Sequence, residues 1–319
     1  MIVTALLRSP ILDLHEARPV HIIGVPFGAG AGLAGCEFAP ATFRAHGLAG
    51  RIAATGRPVA RDTDVTFTNE LALLSASAPA RNVGAVATAL RATHKATLEA
   101  LQAGEFPLVL GGDHSISMGS VSAASRYARA HGKRVAIIWL DAHADFNTPE
   151  TSPSGNLHGM SLAQLTGERS LSNLAGAQVF TPIRAQDVTI IGLRSVDDGE
   201  ERALEEAGIH FYAPDQVRAR GMSAVIEETL RRHDPATTHL HVSLDLDVMD
   251  PAHVPGVGTP VENGLTPAEI LEAASMLAAS GMMASADLVE LNPTRDRDGR
   301  TVDIAITLAA ALLGIAASA

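Results

Sequence analysis

Two aspartates flank a histidine at alternate positions in the segment Asp141-Ala-His143-Ala-Asp145. The segment follows residues 135–140, an apolar run typical of a strand that is buried on both faces. Because strand side chains alternate, we expect the three polar side chains to leave the strand on roughly one side. Carboxylates and an imidazole at this spacing, in a loop beyond a parallel strand, indicate a metal site. Taken alone, the pattern is also compatible with an aspartate that only caps a helix.

Two further segments place the same residue types after short predicted strands. Residues 107–110 lead into Gly111-Gly-Asp-His114-Ser, and residues 239–244 lead into Asp245-Leu-Asp247. Two histidines and four aspartates exceed what one ion needs, so they fit two ions that share bridging carboxylates, with a water or hydroxide between the ions. The set has no cysteine and favours a harder ion such as Mn(II) over a thiolate-type zinc site, although zinc, iron and cobalt stay open. The candidate ligands are His114, Asp141, His143, Asp145, Asp245 and Asp247.

Predicted strands and helices alternate along the chain. The strands are expected at residues 21–25, 107–110, 135–140, 188–192, 239–244 and 285–289, and the helices at 81–103, 117–131, 199–207, 224–232, 267–279 and 303–313. This order predicts a three-layer α/β/α sandwich with a mainly parallel central sheet. No linker, charge block or repeat divides the chain, so residues 1–319 are expected to form one domain. His94, inside the first of these helices, is expected to face solvent.

Composition argues against several classes of partner. The chain has 24 Lys and Arg against 35 Asp and Glu, and aromatic residues make up only 3%, so neither phosphate tracking nor base stacking is expected. The apolar stretch 304–317 is shorter than the roughly 20 residues that span a bilayer, so we expect a buried helix and no membrane association. The single cysteine, Cys36, cannot form an internal disulfide, which favours the cytoplasm.

Four motifs together resemble those of the ureohydrolase family, and most closely its bacterial arginases. They are Gly111-Gly-Asp-His-Ser115, Asp141-Ala-His-Ala-Asp145, Ser154-Gly-Asn-Leu-His-Gly159 and Ser243-Leu-Asp-Leu-Asp-Val-Met-Asp-Pro251, and the similarity runs from about residue 22 to about residue 314. The resemblance implies an arginase-like fold, a trimer or hexamer of identical chains, and hydrolysis of L-arginine to L-ornithine and urea by a hydroxide between two Mn(II) ions. One ion is implied to bind His114, Asp141, Asp145 and Asp245, and the other Asp141, His143, Asp245 and Asp247.

The resemblance also implies which side chains act on the reacting group. His158 matches the histidine proposed as the proton shuttle of the family, and Glu290 matches the carboxylate that grips the guanidinium. Asp145 is implied to accept a hydrogen bond from the hydroxide, and Thr259 to lie near the guanidinium. As an isolated residue, Glu290 would more often be the partner of a structural ion pair.

The other end of the substrate is implied to meet two loops. In the family, the positions of Asn147 and Ser154 contact the α-carboxylate, and that of Asp197 receives the α-amino group, with Glu200 assisting through water. Without the resemblance, residues 147–157 would serve equally well as a solvent loop, because they show no apolar period. Glu200 would then only favour the positive end of the helix that follows it.

Three other functions stay open at this point. A related ureohydrolase that acts on agmatine or another guanidino compound would keep all six metal ligands and change the recognition loop. A non-catalytic protein that binds metal and arginine would not need His158 or Glu290. A zinc amidohydrolase of the related deacetylase fold would not need the complete second metal site.

Overall fold

The computed structural model describes residues 18–66, 80–168, 171, 174 and 181–314. Within these residues one sheet contains the strands β1 (Val20–Gly24), β2 (Val59–Asp64), β3 (Phe106–Leu110), β4 (Arg134–Leu140), β5 (Val188–Ile191), β6 (His210–Tyr212), β7 (Thr238–Asp245) and β8 (Met283–Val289). Their order in the sheet is β2-β1-β3-β8-β7-β4-β5-β6, and every pairing is parallel. The predicted parallel sheet is therefore confirmed.

Helices cover both faces of the sheet. On one face, residues of α1 (Ala39–Ala45), α2 (Leu48–Ala53), α7 (Pro214–Arg220), α8 (Met222–Arg231), α9 (Pro267–Ala279) and α10 (Arg300–Leu312) form a continuous apolar core with the strands. On the other face, a second core includes residues of α3 (Val83–Gln102), α4 (Ser117–Ala130), α5 (Ser161–Thr166) and α6 (Glu200–Ala207). The three-layer α/β/α arrangement agrees with the prediction.

The central strand β4 shows why an uninterrupted apolar run was needed. Its alternate side chains enter opposite cores, Ile138 and Leu140 on one face and Ile137 and Trp139 on the other. All four are fully buried. A strand with helices on both faces cannot show the apolar–polar alternation of a half-exposed strand, and the sequence 135–140 does not show it.

The prediction missed the two edge strands, β2 and β6, and the short helices α1, α2, α5 and α7. The reason is clearest for β2, whose sequence Val-Ala-Arg-Asp-Thr-Asp carries little apolar signal because most of the strand is exposed. Charged side chains on this edge discourage pairing with another chain. Arg44 of α1 bonds two of them, with Nε 2.7 Å from Asp62 and Nη1 2.7 Å from Asp64.

The expectation that His94 faces solvent was wrong. The residue is only 5% exposed, and it lies on the apolar stripe of α3, one turn after Leu90 and one turn before Leu98. Helix α4 packs closely against α3 there. The approach is so close that a Cβ atom on Gly119 would come within 2.5 Å of the Leu90 carbonyl oxygen. Burial lowers the pKa of His94 to about 4, so the side chain is neutral.

Local signals define the ends of the last two helices. Thr266 and Glu269 form a reciprocal capping box at the start of α9, with Pro267 at the first helical position. Helix α10 begins at Arg300, three residues earlier than predicted, directly after Gly299 in a left-handed conformation. Across the described ranges, no helix has the length and apolar character that crossing a membrane requires.

The parallel topology brings the chemically active loops together. The segments that carry the predicted site residues follow β3, β4, β5, β7 and β8, which are neighbours in the middle of the sheet. Since all strands point in the same direction, these loops emerge at one edge. Ligands of open α/β sheets bind at this edge, outside the carboxyl ends of the strands.

Candidate active site

A first group of metal-ligand side chains surrounds one nitrogen of His114. Its Nδ1 atom lies 3.0 Å from Oδ2 of Asp141, 3.2 Å from Oδ2 of Asp145 and 3.2 Å from Oδ2 of Asp245. Both Nδ1 of His114 and Oδ2 of Asp145 are buried and without a hydrogen-bond partner among the described residues. Adjacent ligands of an octahedral ion held at 2.0–2.1 Å lie roughly 3 Å apart, which fits this spacing. We call these four residues the His114 group.

A second group shares Asp141. The Nδ1 atom of His143 lies 3.4 Å from Oδ1 of Asp141 and 3.1 Å from Oδ2 of Asp247. Candidate ligand atoms of Asp141, His143 and Asp247 all lie within 4.8 Å of one another, as do those of His114, Asp141 and Asp245. Asp141 offers one oxygen to each side, as a bridging carboxylate does. We call Asp141, His143 and Asp247 the His143 group.

The charges of these groups demand compensation. Burial, with Asp247 and Asp141 nearby, raises the pKa of Asp245 well above its ordinary range. Burial alone would also raise the pKa of Asp141, but hydrogen bonding to the two histidines outweighs it and lowers that pKa. Burial likewise opposes a charge on His143, yet Asp247 and Asp141 raise its pKa to about 12. Four carboxylates so close together therefore attract positive charge strongly, and the donor set fits two divalent ions.

Side chains behind the ligands fix their orientation. The indole ring of Trp139 stacks on the imidazole of His114, with ring centroids 4.0 Å apart and planes at 5°. The Nε1 atom of Trp139 donates to Oδ2 of Asp141 at 2.9 Å. The other ring nitrogen of His114 lies 2.9 Å from the hydroxyl of Ser243, so His114 presents Nδ1 to the carboxylates.

Glu290 and His158 form a pair beside the His114 group. Nδ1 of His158 lies 2.9 Å from Oε1 of Glu290, which also accepts from the backbone N–H of His114 at 2.9 Å. The other oxygen of Glu290 accepts a hydrogen bond from the thiol of Cys36 at 3.3 Å. Burial opposes a charge on His158, but the interaction with Glu290 raises its pKa to about 9. His158 is thus protonated near neutral pH, while the pKa of Glu290 is lowered and the carboxylate stays ionised.

A cavity of about 240 Å³ opens over these groups. Predicted site residues line much of it: His143, Asp145, Asn147, Ser154, His158, Asp197, Glu200, Asp245 and Thr259. Nδ2 of Asn147 donates to Oδ2 of Asp197 at 2.8 Å, which joins the loop after β4 to the loop after β5. Ser154 and Asp197 are exposed at the outer end of the cavity. Acceptors for an ammonium and donors for a carboxylate therefore lie at the rim, above the metal ligands.

Glu200 connects the same two loops from below. Its Oε1 accepts from the backbone N–H of Phe146 at 2.8 Å, and its Oε2 accepts from the backbone N–H of Asp197 at 3.0 Å. The side chain is 5% exposed, and burial raises the pKa of its carboxyl to about 7. The resemblance implied a contact with substrate through water, whereas here both oxygens accept backbone hydrogen bonds within the protein. Thr259, in turn, donates to Oδ2 of Asp247 at 2.8 Å.

The comparisons with known proteins agree with this arrangement. The model of the arginase family matches residues 18–314. The arginase of Bacillus caldovelox is 39% identical over 301 residues, which is 93% of this chain and 98% of the relative. The chain belongs to the arginase family. The solved structure of that arginase covers 94% of this chain and 99% of its own with a TM-score of 0.85, and the Bacillus cereus arginase, 37% identical, covers 94% and 100% with a TM-score of 0.84.

A more distant arginase from Entamoeba histolytica, solved in complex with L-ornithine, is 28% identical and covers 94% of this chain and 99% of its own, with a TM-score of 0.81. Membership in the arginase family makes this chain a metal-dependent hydrolase. The roles of individual residues stay predictions. The structure brings the six predicted metal ligands together and leaves Glu290 behind His158, outside the residues that line the cavity.

Sequence reasoning missed several residues that contact the site. Ser195, Ser152 and Gly159 line the cavity, and Cys36 donates to Glu290. Ser152 and Gly159 lie inside or next to quoted motifs, so their position near the cavity could have been inferred. Cys36 could not, because a lone cysteine between a glycine and a glutamate carries no sign of a partner 254 residues away.

Proposed function

We propose that this protein hydrolyses L-arginine to L-ornithine and urea at a centre of two Mn(II) ions. The observation that carries the proposal is the convergence of the His114 group and the His143 group, sharing Asp141, beneath a cavity rimmed by Asn147 and Asp197. Oxygen-rich ligands without cysteine favour manganese over a thiolate-type zinc site. The arginase of Entamoeba histolytica, solved with L-ornithine, supports the assignment of substrate and product.

The ligands proposed for one ion are His114, Asp141, Asp145 and Asp245, and those for the other are Asp141, His143, Asp245 and Asp247. When bound, such ions lower the pKa of water enough to supply hydroxide near neutral pH. Asp145 lines the cavity and carries an unpartnered buried oxygen, so it can accept a hydrogen bond from the attacking water. This contact would hold the attacking oxygen in line with the guanidinium carbon.

His158 is the proposed proton donor to the departing amine. It lines the cavity, and its interaction with Glu290 raises its pKa to about 9, so its ring holds a proton at neutral pH. Cleavage of the carbon–nitrogen bond leaves a basic amine, which needs one proton to become the side-chain ammonium of ornithine. The proton passes from His158 to that nitrogen, and solvent then reprotonates the ring. Glu290 provides the negative charge that we propose also attracts the planar guanidinium.

The rim is proposed to recognise the amino-acid end. Asn147 and Ser154 can donate hydrogen bonds to the α-carboxylate, and Asp197 can accept them from the α-ammonium. The hydrogen bond between Asn147 and Asp197 places these opposite preferences next to each other, as a zwitterion requires. Agmatine lacks the carboxylate and would leave the donors of the rim unused.

We further propose that residues 1–319 form one domain, and that the protein works in the cytoplasm as a trimer or hexamer of identical chains. The basis is the resemblance to bacterial arginases together with the single cysteine, Cys36. Light scattering on the purified protein would measure the mass of the assembly directly. A monomeric mass would contradict this part of the proposal.

Release of urea from L-arginine, measured with and without added Mn(II), tests the proposed function. The expected result is manganese-dependent production of urea and ornithine in equal amounts. The same assay with agmatine and other guanidino compounds identifies the preferred substrate. If arginine binds and no urea forms, the protein is an arginine-binding protein and the proposal fails. If agmatine is hydrolysed as efficiently as arginine, the broader ureohydrolase function replaces it.

A further inference from the structure

The guanidinium of Arg194 holds the backbone of two loops next to the His143 group. Arg194 follows β5, and its side chain is half-buried. Its Nη2 atom donates to the carbonyl oxygens of Asp247 at 2.8 Å and Val261 at 2.7 Å. Its Nε atom donates to the carbonyl of Glu262 at 3.1 Å, and its Nη1 atom to that of Val248 at 3.1 Å. The fork of an arginine is thus filled by carbonyl groups from two separate segments.

Both segments carry a residue that determines where a carboxylate of the His143 group lies. Residues 246–249 include Asp247 itself, and residues 258–262 include Thr259, whose hydroxyl donates to Oδ2 of Asp247 at 2.8 Å. That same oxygen lies 3.1 Å from Nδ1 of His143. Arg194 therefore bonds the backbone of Asp247 and also the backbone two and three residues after Thr259, whose hydroxyl orients the Asp247 side chain.

The guanidinium of Arg194 forms no ion pair with a described residue. Among the described residues, no carboxylate accepts a hydrogen bond from it, and its partners are all carbonyl groups. Burial lowers the pKa of Arg194, while Asp247 and Asp141 act in the opposite sense. An arginine so placed stays ionised and contributes a fixed positive charge beside the aspartates.

We propose that Arg194 is a positioning residue for the metal ion of the His143 group. It fixes Asp247 and Thr259 in place before the ion arrives. It contributes little to the affinity for the ion of the His114 group, because its side chain makes no hydrogen bond to the four residues of that group. The inference rests on the proposed two-ion centre. Partners that orient metal ligands typically contribute 10–100-fold to metal affinity, which sets the expected effect.

The chain offers a matched control. Arg218 of α7 reaches the two residues that directly follow the second segment, where its Nη2 atom donates to the carbonyls of Gly264 at 2.6 Å and Asn263 at 3.4 Å. No described contact joins Arg218 to residues 246–249. Arg194→Lys and Arg218→Lys both keep the charge and lose the planar fork, but only the first disrupts guanidinium hydrogen bonds that join the two segments.

Calorimetric titration of the chelator-treated full-length protein with Mn(II) tests the proposal. We expect two binding steps in the wild type and in Arg218→Lys. His143→Ala, which loses a ligand, identifies the step that belongs to the His143 group. In Arg194→Lys this step should weaken roughly 10–100-fold while the other changes by less than about threefold. Thermal unfolding of the metal-free variants, followed by circular dichroism, shows whether folding itself is affected.

Three outcomes would overturn the proposal: two unchanged steps in Arg194→Lys, equal weakening of both steps, or a wild type that binds fewer than two ions. If Arg194→Lys does not fold, Thr259→Val tests the same connection, and it must weaken the His143-group step selectively for the proposal to stand. A wild type that binds two ions without hydrolysing arginine would contradict the proposed function and leave this inference intact.

Discussion

The floor of the cavity, formed by the His114 and His143 groups, and its rim, formed by Asn147, Ser154 and Asp197, are built in different ways. At the floor, His114, Asp141 and Asp247 are at most 1% exposed, and each is held by other side chains or by backbone groups. At the rim, Ser154 and Asp197 are exposed on loops, and the rim side chains bond to one another or to neighbouring loop residues such as Thr151 and Asn156. The floor is therefore organised before any substrate arrives, whereas the rim must exchange internal hydrogen bonds for contacts with substrate. We expect floor residues to control rate and rim residues to control the choice of substrate.

Backbone conformation shows the same difference. Asp145, which belongs to the floor, and Glu290, which lies next to it, are non-glycine residues in left-handed conformations, with φ of 50° and 63°. Such conformations cost of order 1 kcal/mol or more and persist where the surrounding structure imposes them. Glu290 is held by the backbone N–H of His114, by His158 and by Cys36. The conformational free energy that these left-handed residues cost is consistent with a site where the position of a carboxylate matters more than local stability.

Removal of metal should produce the largest effect. With Asp141, Asp145, Asp245 and Asp247 close together, chelation leaves repulsion among carboxylates that cations would otherwise balance. We expect chelator treatment to abolish urea production and Mn(II) to restore it. Binding to the folded state should also raise the melting temperature, since each ion at 100 times its Kd stabilises by about 2.7 kcal/mol. Scanning calorimetry measures the melting temperature, and elemental analysis measures the number of ions per chain. An unchanged melting temperature with fewer than two ions per chain would rule out a two-ion floor.

Substitution of His158 should separate chemistry from metal binding. His158→Asn removes the proposed proton donor, so kcat should fall by roughly 10²–10⁴ if general acid catalysis is its whole role. The metal content should remain that of the wild type, because the ring of His158 pairs with Glu290 and not with the side chain of a candidate ligand. Steady-state kinetics and elemental analysis are the measurements.

His131→Asn is the control for that variant. His131 is exposed, and its side-chain contacts among the described residues are a ring hydrogen bond to the carbonyl of Tyr127 and a tilted packing against the Tyr127 ring. Its replacement should leave kcat within about twofold of the wild type, as surface substitutions away from special features generally do. Loss of an ion from His158→Asn would instead assign His158 to the metal centre.

Changes at the rim should alter the preference for arginine over agmatine. Agmatine lacks the carboxylate that Asn147 and Ser154 are proposed to bind, and each lost charge-assisted hydrogen bond costs about 1.5–3 kcal/mol. The wild type should therefore prefer arginine by at least roughly 10²-fold in kcat/KM. Asp197→Ala should lower kcat/KM for arginine and narrow this preference without loss of metal. The exposed neighbour Asp198, changed to alanine, is the control, and a preference that Asp197→Ala leaves untouched would remove Asp197 from the recognition of substrate.

Floor and rim also differ in how far the sequence predicts them. The six candidate ligands could be predicted because they follow buried strands, and parallel strands deliver their carboxyl ends to one edge. The rim was identified by resemblance alone, since residues 147–157 show no periodicity that separates a recognition loop from a solvent loop. The connection between Cys36 and Glu290 joins positions far apart in the chain, and no local pattern encodes it.

The missed edge strand β2 has a related explanation. Its exposed charged residues are what an edge needs to stay unpaired, so the apolar signal used to find strands is absent there. His94 is the opposite case, because helical spacing placed it on the apolar stripe of α3 and the residue type argued against burial. Spacing was the better guide, since the helix is covered by α4 at that point.

Substitution of Glu200 should produce the smallest effect, and it tests whether this side chain connects the floor to the rim. One oxygen accepts from the backbone N–H of Phe146, next to the ligand Asp145, and the other from that of Asp197. An amide offers one acceptor oxygen and turns two N–H groups toward these donors, so Glu200→Gln should release one loop. Losing one such hydrogen bond costs about 1.5 kcal/mol, which predicts a roughly tenfold rise in KM for arginine with kcat changed little. The affinity for ornithine should fall equally, while that for guanidinium, which has no amino-acid end, should not.

Hydrogen exchange distinguishes this role from a water-mediated contact with substrate. If Glu200 holds the loops together, the amides of Phe146 and Asp197 should exchange faster in Glu200→Gln even when no substrate is present. A residue that only contacts substrate would leave exchange unchanged until arginine or ornithine is added. Glu201→Gln is the matched control, because Glu201 is the next residue of the same helix and is exposed. Equal exchange in Glu200→Gln and Glu201→Gln without substrate would mean that other contacts hold the loops together, among them the Asn147–Asp197 hydrogen bond and the backbone hydrogen bonds from Arg194 and Ser195 to Ala142. The rim would then be independent of the buried carboxylate beneath it.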